Sequence, residues 1–266
     1  MDTHKLTVFA IVAHPDDIEF QMAGTLLLLK DTGADIHMWN LANGCYGTVV
    51  YQYDEIVAMR WEEAQAAARE AGATIYAPLV DDLGIFYTGP LIAQVAAIVR
   101  RVQPDIILTH PPQDYMEDHI NTCRLVVTAA FARGMPNYRT NPPVDAWEGE
   151  TVIYHAMPAG LRDPLRQRVQ PEFYVNISTT LARKRSLLAK HASQKAWLDI
   201  SQGMDSYLAE MENASREVGR MSGRFEYAEG WRRHLHRGYA SEEFDPLQST
   251  LAGQCLVNNS YYSALQ

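Results

Sequence analysis

The sequence predicts an α/β fold of the Rossmann-like, three-layer kind with a mostly parallel sheet. Three observations predict it. Short apolar runs alternate with helical segments of about 10–15 residues up to about residue 135, the pattern of right-handed βαβ units. The first and fourth runs are apolar throughout, as strands covered on both faces are. The chain has 266 residues and an apolar fraction of 47%, enough for one large α/β core.

Residues 6–13 form the first strand, and Pro15 stops it by fixing φ. Residues 22–30 are a helix that ends near Gly33, followed by a strand over 35–41 and a loop over 43–48. The clearest helix spans 55–71: Ile56, Met59, Ala64, Ala67 and Ala71 keep helical spacing, and Gly72 ends it. A short strand at 74–77 precedes a helix over 90–102, which Pro104 terminates. Residues 105–109 are a further buried strand, stopped by His110-Pro111-Pro112, and a helix follows over about 118–133. The proline-rich stretch 136–149 is a loop. Strands are expected at 151–156 and 173–177, and helices at 181–198 and 204–221. From Phe244 the periodicity fades, so residues 240–266 are expected to be a tail that packs on another subunit or stays mobile. With no linker or repeat in view, residues 1–266 are expected to form a single domain.

Composition narrows the function. A formal net charge of −9 argues against nucleic acid, and against an anionic membrane surface, as the main partner. There is no 18-residue apolar span and no signal-peptide core at the N-terminus. Cys45, Cys123 and Cys255 are odd in number and far apart, which suits reduced thiols in a cytoplasmic protein. Trp231, Arg232, Arg233, His234, His236 and Arg237 read as a solvated or intersubunit patch.

The first strand runs straight into His14-Pro15-Asp16-Asp17, and ligands bind at the carboxyl ends of strands in open α/β sheets. His14 and Asp17 offer nitrogen and oxygen to a zinc-like ion, and Asp16 between them stays free to act as a base. This points to metal-assisted hydrolysis. A nucleotide enzyme would carry Gly-x-Gly-x-x-Gly here, and paired carboxylates would repel a pyrophosphate. The strand at 105–109 opens on the same sheet edge and offers His110, Asp114, Glu117, Asp118 and His119. Two histidines and one carboxylate with an open position make a catalytic zinc set, which His14, Asp17 and His119 complete, with Asp118 orienting a ring. Plainer readings exist: His110 as a strand stop, Asp118 as a helix N-cap, His119 as a surface helix residue. Iron(II) suits the same ligands.

These residues resemble those of the LmbE-like, or PIG-L, family of zinc-dependent N-acetylglucosaminyl deacetylases. Ala13-His14-Pro15-Asp16-Asp17 matches its Ala-His-Pro-Asp-Asp signature, and Glu19 and Ala23-Gly24-Thr25-Leu26 also fit. Asp118-His119 matches the Asp-His that carries the last ligand. Arg60 and Glu63 resemble the Arg-x-x-Glu-Ala of the second helix, and His191-Ala192-Ser193-Gln194 a late His-x-Ser-Gln stretch. The resemblance implies His14, Asp17 and His119 as ligands, Asp16 as general base, and removal of acetyl from a small amino-sugar substrate. It also makes a homo-oligomer plausible.

One departure stands out. Many relatives have His-Pro-Asp-His where this chain has Met116-Glu117-Asp118-His119, and methionine donates no hydrogen bond. Tyr115 or His110 is expected to fill that catalytic role. Arg60, Asp82 and Asn43 are expected to bind substrate, with Arg60 alternatively a helix-face charge paired with Glu63 or Glu55 and Asp82 alternatively a strand end. His191 is expected to pack or to assist catalysis. Two further functions fit the same residues: a deacylase of another N-acylated amino-sugar conjugate, and a sugar- or metal-binding protein without turnover.

Overall fold

A computed structural model describes residues 5–194 and 206–263. Eight strands form one sheet: β1 (Thr7–Val12), β2 (Asp35–Asn40), β3 (Thr74–Tyr76), β4 (Ile106–Thr109), β5 (Val152–Ala156), β6 (Phe173–Asn176), β7 (Ala228–Arg233) and β8 (Cys255–Val257). Their order is β3-β2-β1-β4-β5-β7-β6-β8. The first five pair in parallel and the last three antiparallel. The helices are α1 (Asp17–Gln21), α2 (Ala23–Asp31), α3 (Tyr53–Ala71), α4 (Gly89–Val102), α5 (Glu117–Phe131), α6 (Leu181–Leu188), α7 (Ser206–Ser222), α8 (Pro246–Thr250) and α9 (Asn259–Ser263).

Strand β1 shows why the molecule has three layers. Its six residues alternate between two cores: Val8, Ala10 and Val12 pack beneath α2 and α6, while Phe9 and Ile11 pack beneath α4 and α5. Both faces are therefore dry, and the strand needs no polar face. The order of connection reverses between β1 and β4, so their carboxyl ends border one crevice. That crevice receives both chemistry-bearing junctions.

The expected elements are present with small shifts at their ends, and four expectations need correction. Helix α5 begins at Glu117 with Met116 as its N-cap, so Asp118 is not the cap. The helix expected over 181–198 breaks after Leu188, residues 192–194 are helical again, and residues 195–198 and 204–205 lie outside the described residues. Within the cluster at 231–237, Trp231 is not solvated: it is fully buried on β7 and donates its indole N–H to Thr25 Oγ1 at 3.0 Å, while Arg237 is exposed. From Phe244 to Ser263 the chain is ordered, with Leu247 and Leu251 in the core and β8 paired to β6.

The late antiparallel strands anchor the early helices. Glu229 on β7 accepts the Gly24 and Thr25 N–H groups at 2.8 and 2.7 Å, satisfying the first turn of α2. Lys184 on α6 donates to the same carboxylate at 2.6 Å, so this buried charge is paired. Among the described residues no helix is long and apolar enough to cross a membrane.

Candidate metal centre

His14 and Asp17 follow β1, and His119 lies on the first turn of α5, just past β4. One potential ligand atom from each lies within 4.8 Å of the others. Asp17 sits at the middle. Its Oδ2 accepts the His14 backbone N–H at 2.8 Å and lies 3.4 Å from His14 Nδ1, while its Oδ1 is 3.5 Å from His119 Nε2. The outer nitrogen of each ring meets a carboxylate: His14 Nε2 is 3.1 Å from Oδ2 of Asp118 in the first turn of α5, and His119 Nδ1 is 3.0 Å from Oδ1 of Asp114 in the β4–α5 connection. Such partners fix ring orientation and raise ligand basicity.

Electrostatics favour a cation here. Burial pushes the His14 imidazole down, but Asp118 and Asp17 override it and hold it at about 10. His119, with Asp17 and Asp114, is held at about 9 against the same burial. Burial raises the Asp17 carboxyl, yet His119 and His110 keep it well below the carboxylate range. Two imidazoles and a carboxylate drawn together in this way fit a divalent ion.

Asp16 stands beside this cluster in a cavity of about 370 Å³, whose wall also includes Arg60, Asp82, Tyr115, Met116, Gln194 and Tyr207. Its φ of 103° is left-handed, a conformation non-glycine residues hold only when surrounding structure imposes it. Arg60 does so. Its Nη2 donates to the Pro15 carbonyl at 2.6 Å and lies 3.7 Å from Asp16 Oδ2, and its Nη1 donates to Gln194 Oε1 at 2.8 Å. Burial raises the Asp16 carboxyl above its ordinary range, and Arg60 pulls it part of the way back. The Tyr207 hydroxyl also bonds Asp16.

The structure redistributes the residues singled out in the sequence. His110 does not reach the cavity: it is fully buried, stacks on His119 with ring centroids 4.0 Å apart, and its Nε2 accepts the Ala13 N–H at 3.0 Å. Tyr115 does line the cavity and is exposed. Arg60 is not paired with Glu63 or Glu55; only 2% exposed, it donates through Nη2 to the Asp16 loop and through Nη1 to Gln194, while its buried Nε has no hydrogen-bond partner among the described residues. Asn43 lies outside the wall, donating to Asp81 at 2.6 Å and accepting the Cys45 N–H at 3.1 Å. Asp82 is in the wall and accepts the Gly44 and Tyr46 N–H groups at 2.7 and 3.0 Å. Gly44, at φ 77°, passes so close to Arg60 that a Cβ there would stand 2.5 Å from Nε. Asp118 accepts the Leu83 N–H at 2.6 Å as well as meeting His14.

Sequence reasoning missed Asp114 as the partner of His119, and it missed what 191–194 does. Every polar side chain of that stretch meets a residue near Asp16. His191 Nε2 lies 3.4 Å from Glu19 Oε2, the Ser193 N–H and hydroxyl donate to Glu63 at 2.8 and 2.6 Å, and Gln194 receives Arg60. Arg60 and Glu63 lie three apart on one helix face, which was the available signal.

Fold and site together define an α/β protein with a His-Asp-His cluster at the switch point of its sheet. Residues 9–130 match the family model PIG-L, GlcNAc-PI de-N-acetylase. A diacetylchitobiose deacetylase of Thermococcus kodakarensis is 27% identical over 235 residues, covering 85% of this chain and 82% of that one. A 4-oxalmesaconate hydratase of Pseudomonas putida is 25% identical over 239 residues, covering 86% and 90%. The solved N,N'-diacetylchitobiose deacetylase from Pyrococcus horikoshii superimposes with a TM-score of 0.73 at 22% identity, over 92% of this chain and 89% of that one, and shares the fold.

Proposed function

We propose that this chain is a metal-dependent deacetylase of an N-acetylglucosamine-type substrate, acting as one domain over residues 1–266 in the cytoplasm. The observation that carries the reading is the juxtaposition of the His14-Asp17-His119 cluster with an Asp16 carboxylate that no ligand role consumes. His14, Asp17 and His119 would hold the ion; zinc suits their donors, and iron(II) fits as well. Bound there, it supplies a water of lowered pKa and polarises the acetamide carbonyl. Asp16 takes the proton from the attacking water and hands it to the nitrogen as the C–N bond breaks, giving acetate and a free amine. Tyr115, whose phenol keeps its proton at neutral pH, donates to the developing oxyanion in place of the histidine absent at Met116. Arg60 acts through Asp16, holding it in its left-handed conformation. Asp82 keeps the loop after β2 against the cavity.

The hydratase relative suggests a second reading, the addition of water to an unsaturated polycarboxylate. The cavity wall speaks against it. Among its described residues stand four carboxylates, Asp16, Asp17, Asp82 and Glu210, against Arg60 and the two histidines, His14 and His119, that the ion would take. A neutral acetamide enters such a wall more readily than a polyanion, and the ammonium product is stabilised there.

Amine release from N-acetylglucosamine and its glycosides, by chelated enzyme and by enzyme reloaded with zinc, tests the reading. Zinc-dependent release is the expected result. Hydration of an oxalmesaconate-type substrate without any amine release would replace it with the second reading.

A further inference from the structure

The exposed apolar surface is unevenly distributed. Of the fifteen large hydrophobic side chains exposed among the described residues, eight fall in three connections that follow β2, β3 and β4, and a ninth, Tyr53, opens the helix after the first of them. Random scatter of single hydrophobics needs no explanation; a concentration at a cavity mouth does. Three of the nine, Tyr46, Leu83 and Tyr115, are also part of the cavity wall, so rim and cavity are continuous. Two of its three stretches carry no charge: residues 43–53 and 83–92 contain no Asp, Glu, Lys or Arg.

The rim is also held in place. Asp82 binds the Gly44 and Tyr46 N–H groups, Thr48 Oγ1 accepts the Val50 and Tyr51 N–H groups at 3.1 and 3.2 Å, and Gly47 lies so near Gln194 that a Cβ would be 2.8 Å from its Oε1. Val49 and Val50, 64% and 67% exposed, are thus presented on a braced turn beside the mouth. Preorganised apolar surface beside a reactive cavity binds without a large ordering cost.

We propose that this rim is a subsite for an apolar aglycone: the amino sugar occupies the polar cavity, and the group attached to it lies outward across Tyr46 and the Val49–Val50 turn. The inference rests on the reading of the cavity as an amino-sugar site. Four of the nine, the two valines, Leu83 and Phe86, have no polar group, and the hydroxyls of Tyr53 and Tyr87 are taken by Asp81 and Thr128, so a hydrocarbon or aryl group fits the rim better than a further sugar does.

Calorimetric binding to the full, zinc-loaded chain, measured beside amine release, tests this. The probes are N-acetylglucosamine, its 4-nitrophenyl β-glycoside and diacetylchitobiose. The aryl glycoside is expected to bind about tenfold more tightly than the free sugar, and more tightly than the disaccharide. A Val49→Ser/Val50→Ser double variant, altered at exposed positions only, is expected to lose that difference while binding N-acetylglucosamine unchanged. Equal affinities overturn the proposal, and so does a preference for the disaccharide, which would make the rim a sugar subsite. A concentration-dependent mass in light scattering that the double variant abolishes would also overturn it, by making the rim a contact between copies. If the aryl preference is found and no amine is released, the deacetylase reading fails and the aglycone subsite stands.

Discussion

The metal side and the base side of this site are assembled in opposite ways. On the metal side, ligands and their partners come from two strand ends that border one crevice: His14 and Asp17 from β1, and Asp114, Asp118 and His119 from β4 and the start of α5. On the base side, Asp16 takes its geometry from residues scattered along the chain: Arg60 on α3, Gln194 beyond α6 and Tyr207 on α7. Topology delivers the first group almost by itself. The second depends on side-chain contacts that span up to 191 positions, from Asp16 to Tyr207. A metal cluster can therefore be written locally, whereas a poised base needs most of the fold.

Substitutions on the two sides should separate binding of the ion from turnover. The largest effect is expected from Asp16→Asn, which should lower kcat by about a thousandfold with full metal occupancy, checked by amine release and elemental analysis. Retained turnover would remove Asp16 from the base role. Asp114→Asn and Asp118→Asn should each weaken metal affinity by about 10–100-fold, read by competition with a chelator. An unchanged affinity for either would mean that its histidine is oriented by something else. Gln194→Ala should lower kcat by about tenfold through a loosened Arg60, leave KM and metal content unchanged, and be largely restored in Gln194→Glu, whose carboxylate accepts the same hydrogen bond. A rise in KM alone would make Gln194 a substrate contact instead. The smallest effect is expected from Met116→His, about a threefold rise in kcat if it supplies a second donor beside Tyr115. A fall in kcat would mean that the enlarged polar side chain obstructs the cavity.

The same contrast explains how much the sequence revealed. Strands β1 and β4 are apolar runs cut off by proline, and both strand ends carry ligand-type residues, so the parallel half and the metal cluster were legible. Strand β7 was not, because Ala228–Arg233 carries Glu229, Gly230 and two arginines and has no apolar period. Its glutamate is there for the N-terminus of α2 and for Lys184, a demand that arises only in three dimensions. Three-residue β8 is too short to leave a periodic signal. Arg60 suits a substrate ligand by type, and only the folded neighbourhood shows that its Nη1 and Nη2 reach Gln194 and the Pro15 carbonyl. His110 looked equally available, yet the stacking that supports His119 removes it from the cavity.

Asp16 is held in a backbone conformation that disfavours most side chains, and its carboxyl is buried where ionisation is penalised. Both facts oppose folding at neutral pH: the unfolded chain ionises this group freely, and the folded chain does so only at a cost that grows as pH rises past the ordinary carboxylate range. Asparagine tolerates the left-handed region well and carries no charge. The chelated Asp16→Asn protein should therefore melt above the parent, by about 1 kcal/mol in stability, a gain seen in thermal unfolding near neutral pH that shrinks as pH falls. A selection for robustness alone would work against this residue, so under the proposed mechanism its presence is a compromise in which the chain gives up durability at one position to keep a proton acceptor poised.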